Sequence, residues 1–129
     1  MADNIDFNAL GQSIDTTWGR SSTPKTASYS VKISLLGPDR MLVSYAAIVN
    51  FGTERQMIEM KRAYASEADS VVAAVIKSVK GNYKDLTGSA LSTKALKDGE
   101  ADSLEIINFN CHNARRTAYY RRKAVFELG

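Results

Sequence analysis

The sequence predicts an α+β fold: a single, mostly antiparallel sheet of four to five strands, one long helix packed across it, and a short N-terminal helix. Three observations predict it. Segments that alternate apolar and polar residues appear before position 51 and again after position 89. Between them runs one capped apolar stripe of helical period, roughly thirty residues long. The strands come in blocks on either side of that helix, without the βαβ alternation of a parallel sheet. The expected order is α-ββ-α-βββ.

Residues 1–20 read as a short helix or arm. Phe7, Leu10, Ile14 and Trp18 recur at spacings of three and four and share one stripe. Asp3 or Asp6 offers an N-cap, and Gly11 weakens the helix. A helix this short needs a surface to dock on. Either it folds back over its own sheet, or it acts as an assembly arm that buries those four side chains on a neighbouring subunit. Residues 21–28, in the polar stretch Gly19 to Ser28, form a tether containing Pro24. Residues 29–128 form the α+β core, so residues 1–129 make one domain.

Tyr29, Val31, Ile33 and Leu35 alternate with Ser30, Lys32 and Ser34, giving a strand with one dry and one wet face. Gly37-Pro38-Asp39-Arg40 is a turn. Met41 to Phe51 returns as a second strand, with Val43, Tyr45, Ala47, Val49 and Phe51 facing one way. Leu42, Ala46 and Ile48 face the other way, so this strand is either covered twice or meets a partner. Thr53-Glu54-Arg55-Gln56 fits a capping box. The helix it opens carries the stripe Met57, Met60, Tyr64, Ala68, Val71, Val75, Val79 and Tyr83, and ends near Tyr83, with Gly81 and Gly88 as candidate stops. At roughly 45 Å it is long for a small domain and overhangs its sheet or packs on another copy.

Ser89 to Leu96 reads as a short edge strand, and Lys97 to Asp102 as a polar turn whose Asp98-Gly99 step suits a tight hairpin. Leu104 to Cys111 follows, with a phase change that indicates a bulge near Ile106-Ile107. Cys111 reads as a small core residue on the face of Phe109, and His112 as part of the next turn. Thr117 to Leu128 is the last strand. Ala118, Tyr120, Ala124, Phe126 and Leu128 face in, and Arg122 among them must snorkel or pair with a carboxylate.

Composition narrows the function classes. The chain has 129 residues, 44% hydrophobic and 24% charged, with 17 Lys+Arg against 14 Asp+Glu for a net charge of +3. That charge is too mild to imply nucleic acid by itself. One cysteine and one histidine exclude an intramolecular disulfide, a cysteine zinc site and a multi-histidine metal site. The sequence contains no phosphate-binding loop, nucleophile elbow or zinc-protease motif. Cys111 and His112 are adjacent, and in a strand they would point to opposite faces, away from each other. The expectation is a protein that is not an enzyme and has no cofactor, metal or small-molecule substrate. No signal peptide and no membrane-spanning segment is expected, which makes a cytoplasm the default compartment.

The sharpest local signal is basic. Arg115, Arg116, Arg121, Arg122 and Lys123 crowd one short stretch, with Tyr119 and Tyr120 between them. Arg115, Arg116, Tyr119, Arg121 and Lys123 are the candidate contact residues. Arginine with tyrosine suits a protein interface, and phosphate pairing with base stacking suits nucleic acid. A solvated face is the third reading.

The stretch SLEIINFN from Ser103, continuing through NARRTAYYRRKAVFE from Asn113 to Glu127, resembles small proteins of tailed bacteriophages, as does IVNFGTER from Ile48 to Arg55. The likeness covers residues 29 to 128. It implies a virion part such as a capsid-stabilising, neck or tail protein, with a homo-oligomer or other virion proteins as partners, and it transfers no catalytic residue. The alternative expectation is a small nucleic-acid-binding protein that uses the basic last strand.

Overall fold

A computed structural model describes residues 9–11 and 29–129. Strands β1 (Tyr29–Leu35) and β2 (Arg40–Phe51) form the first hairpin. Val31 lies opposite Tyr45 and Ile33 opposite Val43, so the apolar positions of both strands share one face. Gly37 adopts φ 130° in the turn, a conformation that favours a residue without Cβ.

The long helix spans Glu54–Thr87, 34 residues. Its capping box is complete: the Thr53 hydroxyl accepts from the Gln56 N–H at 3.1 Å, and the Gln56 side-chain oxygen accepts from the Thr53 N–H at 3.2 Å. The helix passes through exposed Gly81 and stops at Gly88, left-handed at φ 75°, whose N–H donates to the Lys84 carbonyl. It therefore continues one turn past Tyr83, because the left-handed residue that ends it is Gly88.

Strands β3 (Thr93–Asn110) and β4 (Arg115–Leu128) complete a four-stranded antiparallel sheet in the order β1-β2-β4-β3. The final third thus holds two strands where the sequence suggests three. Lys97 to Asp102 does not reverse the chain; Lys97 to Glu100 bulge from β3 between Leu96, opposite Val125, and Ala101, opposite Lys123. Gly99 fits the bulge because its backbone lies against β4: a Cβ there would sit 2.5 Å from the Val125 Cβ. The register shift between Ile106 and Asn108 is the bulge the phase change indicates. Cys111 is exposed in the β3–β4 turn, not in the core, because β3 ends at Asn110 and the turn stands beyond the helix-covered sheet.

The helix lays Tyr64, Ala68, Val71, Val75, Val79 and Tyr83 on Met41, Val43, Tyr45, Ala47 and Val49 of β2 and on Ala118, Tyr120, Ala124 and Leu128 of β4. All of these are buried. Ala9 and Leu10 join the same core, Leu10 being fully buried. Phe7, Ile14 and Trp18 lie outside the described residues. At 1.5 Å per residue the helix is about 51 Å long, against about 40 Å for the 12 residues of β2. Its first turns carry no fully buried side chain before Tyr64. Among the described residues nothing covers the second face of the sheet at Ile48, which is 56% exposed. No described helix is long and apolar enough to cross a membrane.

Candidate functional site

Alternation along β4 divides the basic run between the two faces of the sheet. Tyr119, Arg121 and Lys123 project from the face away from the helix, opposite Ile48, Ala46 and Ser44 of β2. Arg115 lies beside Gly52 at the end of the same face, two residues before Thr117, whose hydroxyl donates to Asn50 Oδ1 at 2.8 Å. Arg116 is on the helix side. Its guanidinium lies 4.9 Å from the centre of the Phe109 ring and donates to the Gly52 carbonyl at 3.5 Å. The five candidate contact residues therefore do not form one patch.

On the open face, register brings in a residue that the basic run does not contain. Lys32 of β1 lies opposite Ser44, and Ser44 lies opposite Lys123. Ser30, Ala46 and Arg121 form the next row. These side chains surround a shallow depression of about 250 Å³ whose lining holds Lys32, Arg121 and Lys123 and no carboxylate. The Arg121 guanidinium sits 5.5 Å from the centre of the Tyr119 ring, a cation–π contact.

The helix face holds a polar cluster around one buried guanidinium. Arg122 is 7% exposed and donates to both oxygens of Asp102, Nε to Oδ1 at 2.5 Å and Nη2 to Oδ2 at 2.8 Å. Nη1 pairs with Asp69 of the helix and, at 3.4 Å, with Glu100 of the bulge. Arg122 thus pairs with carboxylates, and the supposed polar turn supplies two of them. Burial lowers the pKa of its guanidinium. Beside it, Tyr29, Tyr45, Tyr120 and Tyr64 pack in series with ring centres 5.3, 6.0 and 6.0 Å apart. Burial, then the Glu67 carboxylate, raises the Tyr45 phenol far above its ordinary range. Burial, then Asp102, does the same to Tyr120.

A third feature is apolar. Ile106, Ile107 and Phe109 of edge strand β3 are 50%, 54% and 51% exposed, and Ile58 of the helix is 49% exposed. Ile106 shares a groove with Phe51, Met57 and Arg116. Met57 continues that groove along Ile58 and Ala65.

The described residues contain no group of three or more His, Cys, Asp or Glu side chains arranged to hold a metal ion. Asp102, Glu100 and Asp69 surround a guanidinium, which occupies the place a cation would take. These surfaces offer charge pairing, stacking and strand addition. No family model, curated protein or solved structure matches the chain.

Proposed function

We propose that the protein is a non-catalytic structural component that assembles with copies of itself, as part of a bacteriophage-type particle in which it serves as a capsid-stabilising, neck or tail protein. The observation that carries this reading is the free edge of β3. That strand has 18 residues and, among the described residues, pairs on one side only, with β4. Natural edge strands are guarded by shortness, lysine, proline or bulges. The other edge, β1, is 7 residues long and carries Lys32. In β3, Leu104 to Asn110 has one charge, Glu105, one bulge at Ile107, and three half-exposed large apolar side chains.

The partner for this edge is a second copy of this chain. An antiparallel edge presents alternating donors and acceptors, so the same edge turned about a two-fold axis supplies the complement. Such pairing joins two sheets into one and brings Ile106, Ile107 and Phe109 together across the axis. It also covers the end of the groove at Met57, where the helix leaves β3 uncovered. The likeness of residues 29 to 128 to small tailed-phage proteins supports placing the assembly in a virion.

Light scattering over a concentration series tests the reading. A dimer or larger species is expected, reverting to monomer in Ile107→Lys with an unchanged circular dichroism spectrum. A monomer at every concentration, or an assembly unaffected by both Ile107→Lys and Phe109→Lys, overturns it.

A further inference from the structure

We infer that the open face of the sheet is a track for single-stranded nucleic acid, with the depression between Lys32, Arg121 and Lys123 as its phosphate site. This rests on a different face from the β3 edge and is independent of the assembly reading.

The strands set the spacing. Arg121 and Lys123 are two residues apart on one face of β4, about 6.8 Å along the strand. Lys32 is two strands away from Lys123, about 9.6 Å across the sheet. The residues between them are Ser30, Ser44 and Ala46. These are small, so the three long side chains stand as walls above a low floor, and the two hydroxyls add donors. A phosphodiester entering this space meets three cations.

The charge is not cancelled from beneath. Asp69, Glu100 and Asp102 pair with Arg122 on the opposite face, and Glu127 stands beyond Lys123 at the end of the track. Glu105, opposite Tyr119 on β3, flanks the track. The outward positions of β4 continue the line from Lys123 and Arg121 through Tyr119 and Thr117 to Arg115, about 27 Å at strand rise. A line of that length suits a linear polyanion better than a lone phosphate. Tyr119 lies within it, and an aromatic ring beside cations gives a base a surface to stack on. The face, uncovered among the described residues, is broad and shallow, a shape that accepts splayed bases and does not enter a duplex groove.

Fluorescence anisotropy of labelled single-stranded DNA and RNA against the full chain, in a salt series, tests the inference. Binding at low salt is expected, with log affinity falling about 0.7 per phosphate contact for each tenfold rise in salt, a slope near −3 for Lys32, Lys123, Arg121 and Arg115 together. Lys32→Gln and Arg121→Gln should each reduce that slope by about 0.7. Tyr119→Leu should weaken binding about tenfold and leave the slope unchanged. Arg116→Gln, on the other face, should change neither. Four results would each overturn the inference: no binding at low salt; equal losses in Arg116→Gln and Lys32→Gln; equally tight binding of a duplex or an acidic peptide; or displacement by inorganic phosphate at the concentration that suffices for the oligonucleotide. The oligomeric state, read in the same samples, reports on the β3 edge separately.

Discussion

Arg122 is held inside the protein by carboxylates from the helix, the bulge and β3, and the three are not equivalent. The Asp102 side chain is 28% exposed and takes both planar donors, whereas Asp69 is 67% exposed. Asp102→Ala is therefore expected to cost about 2–3 kcal/mol, since it leaves a buried guanidinium short of its main partner. Asp69→Ala is expected to cost less than about 1 kcal/mol, because solvent screens that pair. Urea denaturation of the two variants checks the order, and equal losses would contradict it. Tyr45 and Tyr120 give a second expectation at this scale. Their phenols titrate higher in the folded chain than in the unfolded one, where the pKa is near 10. Their contribution is thus fully present below pH about 10 and is lost as the pH rises beyond it, by up to about 1.4 kcal/mol per pH unit for each phenol. The stability of the wild-type chain should fall steeply in this alkaline range, and the Tyr45→Phe, Tyr120→Phe double variant should show a flatter limb. Identical limbs would remove these phenols as the cause. The sequence marks Arg122 as out of place on an apolar face but not its partners, because Asp69 and Asp102 approach it through helix docking and the β3 register.

The helix and β2 are the elements most legible in the sequence, because each declares its own period and its own start. The Thr53 box and the stripe through Tyr64 and Val75 need no tertiary information. Val75 is fully buried in the middle of that stripe, and Val75→Asp is expected to unfold the chain; an unchanged melting temperature would show the stripe is not core. Leu10→Ala should cost about 2–5 kcal/mol of the chain's own stability, since Leu10 is buried in the common core. An unfolding curve matching wild type would contradict that placement. The least legible element is β3. Asp98-Gly99 is the same dipeptide in a tight hairpin and in a bulge, and the choice is made by β4, which pairs with β3 on both sides of it. Gly99→Ala is expected to destabilise by about 1–3 kcal/mol through the clash with Val125, and Val125→Gly in the same chain should recover part of the loss. Additive losses in the double variant would contradict a shared contact.

Among the described residues the sheet has one covered face, one open face and one long free edge. The open face was half legible: β4 alternation alone sorts Tyr119, Arg121 and Lys123 from Arg122, but Lys32 joins them only through the β1-β2-β4 order, which no local pattern encodes. The free edge was not legible, since which strand ends a sheet is decided by the pairing of all four. Self-assembly through that edge is read out by amide hydrogen exchange along β3 at low and high protein concentration. In a lone chain the outward-pointing amides between Ala101 and Asn110 face water and exchange quickly. With edge-to-edge pairing these amides become protected as concentration rises, while the outward-pointing amides of β1 do not. Fast exchange of the β3 edge at every concentration, or protection that grows equally at β1, would contradict it.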